Sequence, residues 1–168
     1  LPRQAVHDSS SVTYPVFTAI AAPEVQNKLN GDFAIIAGPY LQNLATGGCE
    51  LDYTLTFVSE KFISMVFFGV LDEGEKEIFA KIPLNIDVQT GAQLALGDVL
   101  NLRDADLLPV LRLLTKKDKV DVSKGITESW YYNGTNFVFC QRSETGEWLE
   151  ATVAASDLKK FLLKPELF

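Results

Sequence analysis

Two cysteines, one histidine and a scatter of carboxylates are the side chains that could carry covalent or metal chemistry in this 168-residue chain. His7 stands near the start, far in sequence from Cys49 and Cys140. A zinc site draws several ligands from His and Cys, and three such residues so dispersed do not form a ligand set. A cysteine–histidine nucleophilic pair needs a positioned base, and His7 falls in a segment that reads as a tail. No nucleophile elbow, P-loop or dinucleotide fingerprint occurs. No metal and no cofactor are therefore expected. The acidic run Asp72, Glu73, Glu75 and Glu77 lacks the alternate-position ligand spacing of an EF-hand loop and reads as a charged hairpin tip. An acid–base pair hidden among the other carboxylates stays open as an alternative.

The cysteines allow two readings. A Cys49–Cys140 disulfide closes a loop of about 90 residues and stabilises by roughly 4 kcal/mol in the chain-entropy picture. The other reading is two free buried thiols, since cysteine packs as a small hydrophobe. The aromatic residues are the better candidates for recognition. Trp130, Tyr131, Tyr132 and Trp148 gather near a C-terminal hairpin, where they could stack on a sugar or anchor a protein partner. Core and cross-strand packing is the competing role for the same four.

These residues must be positioned by a globular chain. Apolar residues make up 47% and aromatic residues 11% of it, a composition far from that of disorder. The net charge of −7 repels phosphate backbones and argues against nucleic acid as a partner. No apolar run approaches the ~20 residues of a membrane-spanning helix. The start Leu-Pro-Arg-Gln, with neither an initiator methionine nor a signal peptide, fits a trimmed or mature form.

Along the chain, residues 1–11 read as a tail and residues 12–168 as a single domain. Val12–Ile20 predicts a short strand, which Pro15 makes either an edge strand or an irregular one. Val25, Leu29, Phe33, Ile36, Tyr40 and Leu44 recur at helical spacing from Pro23 onward, with Gly38-Pro39 expected to kink or interrupt the helix. Leu51–Phe57 alternates, Phe62–Leu71 is apolar on both faces, and Ile78–Ile86 alternates again, which predicts an antiparallel meander. Asp104–Thr115 reads as a helix. Trp130–Tyr132, the Asn133-Gly134 turn, the strand with Phe137 and Phe139, and Glu147–Ala154 form the C-terminal hairpin region. Ser156 is expected to cap a last helix, Asp157–Leu163. The expected fold is α+β: an antiparallel meander sheet packed against a long N-terminal helix, with a C-terminal hairpin and short helices.

Three segments carry a family resemblance. Tyr14-Pro15 is followed by the helical stretch Val25–Asn30. Tyr53–Val58 is paired with Phe62–Phe68, including Ile63-Ser64-Met65. The most specific is the run Leu84–Leu100, with Asn85, Asp87, Thr90-Gly91 and Asp98 at its polar positions. Together they resemble a bacterial domain family of unassigned function. That family occurs in the extracytoplasmic part of the lysozyme-responsive anti-sigma factor and in the non-catalytic N-terminal region of some peptidoglycan deacetylases. One departure is the segment Gln141–Glu147, where the family often has an acidic loop with Pro and Tyr. The resemblance implies an extracytoplasmic setting, secreted or anchored to the cell surface, and no catalytic residues. The expected partner is a cell-wall glycan or an envelope protein. A carboxylate-dependent hydrolase and a structural spacer within a surface protein are the alternatives.

Overall fold

The computed structural model describes residues 1–72, 77–116, 118, 120, 122 and 129–168. Residues 73–76 of the expected acidic tip lie outside these. The chain opens not with a tail but with a hairpin. Strand β1 (Pro2–His7) pairs antiparallel with β2 (Ser10–Pro15), from His7 opposite Ser10 to Pro2 opposite Pro15. Both prolines sit at strand ends, so neither removes a donor from the middle of the ladder. β2 is also paired on its other side. It runs parallel to β3 (Cys49–Val58) at Ser11–Glu50 and Val12–Leu51, so the edge alternative expected from Pro15 is overturned.

Between β2 and β3 lies α1, the 21-residue helix Pro23–Asn43. The helix is long, as expected, but it follows a hairpin and is not N-terminal. Pro23 starts it where a missing N–H costs nothing. It runs without interruption through Pro39, and the side-chain amide of Asn43 donates to the Pro39 carbonyl at 2.9 Å. Val25, Leu29, Phe33, Ala37 and Tyr40 form its buried stripe. The meander then follows as β3, β4 (Phe62–Asp72) and β5 (Glu77–Asp87), with a two-residue β6 (Ala92–Gln93). Hydrogen-bonded neighbours run in the order β1-β2-β3-β4-β5-β6.

The C-terminal part holds short helices α2 (Leu96–Val99) and α3 (Leu107–Leu114) and a second, three-stranded antiparallel sheet. That sheet is β7 (Trp130–Tyr132), β8 (Asn136–Arg142) and β9 (Trp148–Ala154). Helix α3 starts three residues later than its apolar spacing predicts. The cause is a local turn: the Asp104 carboxylate accepts from Asp106 N–H at 2.9 Å, and the Asp104 carbonyl accepts from Leu107 N–H at 3.1 Å. Such side-chain-to-backbone bonds compete with helix. The last helix is also corrected. Residues Ala155–Phe161 form a 3₁₀ helix after Ala154, and Ser156 does not cap it.

The chain gathers into two compact units. One comprises residues Leu1–Leu55, Val66–Ile82 and Asp87–Ala92; the other comprises Thr56–Met65, Pro83–Ile86 and Gln93–Phe168. In the first, α1 covers one sheet face. Phe33 meets Phe17 and Phe67 with ring centroids 5.5 and 6.1 Å apart, and Tyr53 meets Phe67 at 5.9 Å. Gly69 lies so close beneath the Tyr40 ring that a Cβ there would fall on the phenol. The second unit has its own core, in which Phe62, Trp130, Tyr132, Phe137, Phe139, Leu158 and Phe161 are all buried.

Candidate functional site

The strand period decides what the four candidate aromatics can do. β7 pairs with β8 at Trp130–Phe139, Tyr131–Val138 and Tyr132–Phe137. Alternate residues point to opposite faces, so Trp130 and Tyr132 share the Phe137–Phe139 face and Tyr131 the other. Trp130 is 1% exposed and Tyr132 4%. Trp130 stacks on Phe62 at 6.5 Å, and Tyr132 packs edge-on to Phe57 and Phe168, both at 5.0 Å. These two are core residues, which corrects the expectation of a four-residue ligand platform. Tyr131 and Trp148 lie on the opposite face of this sheet, both half-buried. The Tyr131 hydroxyl donates to Glu150 Oε1 at 3.0 Å. Burial first, and then the neighbouring Glu150 carboxylate, hold this phenol far above its ordinary pKa of 10.0. The Trp148 indole N–H is buried with no acceptor among the described residues.

Cys49 and Cys140 form no disulfide, so that reading is set aside in favour of two buried cysteines. Cys49, in the first unit, donates to the Tyr40 carbonyl at 3.3 Å, and its N–H donates to Ser10 Oγ at 3.2 Å. Cys140, in the second, lies 3.7 Å from Glu150 Oε1. His7 is an exposed strand residue 3.4 Å from the Asp8 carboxylate. Among the described residues no three His, Cys, Asp or Glu side chains gather as a metal site. No helix there is long and apolar enough to cross a membrane.

The polar residues of the resemblance segments have a different, shared task. Asn30 Oδ1 accepts from Phe17 N–H at 2.8 Å, while its amide donates to the Phe17 carbonyl at 2.9 Å. Asp87 Oδ1 accepts from the N–H groups of Gln89 and Thr90 at 2.9 and 3.2 Å, which forms the turn that Gly91 completes at φ +65°. Asp98 Oδ2 accepts from Ala95 N–H at 2.8 Å at the start of α2. Ser64 and Asn85 are buried together. Ser64 Oγ donates to Asn85 Oδ1 at 2.7 Å and accepts from Tyr132 N–H at 2.8 Å; Asn85 Nδ2 donates to the Trp130 carbonyl at 2.7 Å. Ser129 and Asn133 bond to β8, so the backbone groups of Trp130 and Tyr132 face away from it. Ser64 and Asn85 thus bond the outer edge of β7 as a strand would. In the sequence both stand only as positions of the resemblance segments, although a Ser and an Asn among apolar residues signal buried polar partners.

Two hollows remain. One, of about 290 Å³, is lined by Pro83, Asn85, Gln93, Leu94, Ala95 and Trp130 in the second unit. The other, of about 300 Å³, belongs to the first unit, and its lining includes Ser9, Cys49, Glu50, Val70, Asp72, Glu77 and Phe79.

No protein-family profile matches the chain, and no curated protein is found similar to it. Solved structures are. A DUF3298 family protein of Bacteroides fragilis superposes with a TM-score of 0.65 at 13% identity, over 96% of this chain and 90% of that one. Another, from Pseudomonas aeruginosa PAO1, gives a TM-score of 0.64 at 10% identity, over 99% and 94%. The likeness is one of fold. It supports, at that level, the resemblance to a bacterial domain family of unassigned function.

Proposed function

We propose that this chain is a non-catalytic binding or sensory domain of the bacterial cell envelope, secreted or surface-anchored, that recognises a cell-wall glycan or an envelope protein. The observation that carries this reading is how the signature polar residues are used. Asn30, Ser64, Asn85, Asp87 and Asp98 all bond their own chain's backbone. A signature used in this way specifies a scaffold, and recognition then falls to surfaces outside it. The extracytoplasmic setting is supported by the sequence resemblance. The test is a calorimetric titration of the chain against soluble peptidoglycan fragments and a panel of purified envelope proteins. Mass spectrometry of the same mixtures follows turnover. Saturable binding without turnover is expected; silence across the panel would sink the reading.

A second reading, carboxylate-dependent hydrolysis, draws on the first unit's hollow and its Glu50, Asp72 and Glu77. Fragment cleavage that is lost in both Glu50→Gln and Glu77→Gln would replace the first reading with this one.

A further inference from the structure

The six-stranded sheet has two faces in the first unit, and α1 takes one of them. Phe67 points to α1, where its ring meets Phe33, so Phe68 and Val70 point the other way. Cys49 and Leu51 are buried, which turns Glu50 to the same outer face. On β5 the Lys81 ammonium lies 5.5 Å over the Phe68 ring, and this places Glu77 and Phe79 there too. The face is apolar at its centre: Phe68 and Phe79 are 44% and 50% exposed. The hollow of about 300 Å³ opens beside them, with Val70 and Phe79 as its apolar wall and Glu50, Asp72 and Glu77 as its acidic one.

We propose that this face is a docking surface for a basic, apolar-bearing segment of a partner protein. Its apolar side chain packs on Phe68 and Phe79, and its Lys or Arg side chain enters the hollow beside Glu50 and Glu77. Two half-exposed rings on one sheet face offer an apolar centre, and an aromatic centre with a polar rim is the usual anatomy of an interface. Charge selects the occupant. A second copy of this chain carries the same net −7 and would meet carboxylate with carboxylate. Anionic lipid and nucleic acid are repelled in the same way. Lys81 already covers the Phe68 ring, so a cationic segment gains from the Phe79 ring and from the carboxylates, which outnumber that one lysine.

This inference rests on the binding reading and narrows its partner to a protein. The probe is a twelve-residue Lys/Leu amphipathic peptide, compared with its Glu/Leu counterpart and with a soluble peptidoglycan disaccharide peptide. Each is titrated against the full chain by fluorescence anisotropy at low and high salt. The Lys/Leu peptide is expected to bind, and to bind more weakly as salt rises. Phe79→Ser and the double variant Glu50→Gln/Glu77→Gln should each weaken it by roughly tenfold, the scale of one lost anchor. Leu113→Ser, in the second unit, should leave it unchanged. Thermal melts confirm that each variant is folded, and a folded Phe79→Leu should keep most of the affinity. Absence of peptide binding overturns the proposal. So does binding that is indifferent to these substitutions, which is attraction to net charge alone. Binding of the disaccharide peptide that these variants abolish also overturns it, since the site would then be a glycan site, while the envelope-binding reading stands.

Discussion

Ser64 Oγ donates to Asn85 Oδ1 at 2.7 Å, with both side chains buried and each bonded onward to the β7 backbone. Ser64→Ala orphans the Tyr132 N–H, and Asn85→Ala orphans the Trp130 carbonyl. Each is expected to cost about 1–3 kcal/mol, the penalty of a buried unsatisfied group. The double variant should cost less than the sum, because the two share one network. Urea unfolding of the four proteins measures this directly, and simple additivity would deny the network.

Close approach of Gly69 to Tyr40 gives a second expectation. Gly69→Ala places a methyl against the phenol ring and should destabilise by roughly 1–3 kcal/mol, the usual cost of overpacking. In a Tyr40→Leu background the same substitution should cost clearly less. The comparison is read from denaturation midpoints, and an unchanged cost in that background would mean the strain lies elsewhere.

The thiols predict a redox-silent protein. Cys49 and Cys140 are unbridged and buried, so neither should react with an aromatic disulfide reagent until the chain unfolds, when both do. The melting temperature should be the same with and without reductant. A drop on reduction would reveal a bond that the structure does not contain.

At high pH the tyrosines should matter. Burial raises the pKa of Tyr40, Tyr53, Tyr131 and Tyr132 above the ordinary 10.0, Tyr131 furthest. A group with a raised folded pKa holds its proton longer when folded, so its contribution is complete below pH 10 and is lost as pH rises beyond it. Stability should therefore fall above about pH 10, and fall less steeply in Tyr131→Phe. Chemical denaturation at a series of pH values from neutral to alkaline tests the difference in slope.

How much of this was legible in the sequence varies with the physics of each element. The stripe of α1 and the alternation at the start of β3 follow from burial on one face, so they could be read directly, whereas Leu55 is exposed and Asn85 buried against the pattern. β1 could not. Its residues are mostly exposed, and only its partner β2 makes it a strand. The aromatic run Trp130-Tyr131-Tyr132 was misjudged for a related reason. Both faces of β8 are apolar, through Phe137 and Phe139 on one and Val138 and Cys140 on the other, so composition alone could not say which was core. The outer face was hidden because Phe68 falls in a run apolar on both sides, which reads as a strand covered twice, and Phe79 falls on the otherwise polar side of β5.

The parallel pairing of β2 with β3 has a consequence for the order of assembly. Cys49 N–H reaches Ser10 Oγ across 39 residues, with all of α1 in between, whereas β8 and β9 need only residues 143–147 to meet. Closing the longer loop sacrifices more chain entropy before any contact repays it. During refolding, amide protection should therefore appear in β8 and β9 before it appears at the Cys49 amide, which bonds across the β2–β3 seam. The seam between the N-terminal hairpin and the meander would be among the last parts to lock.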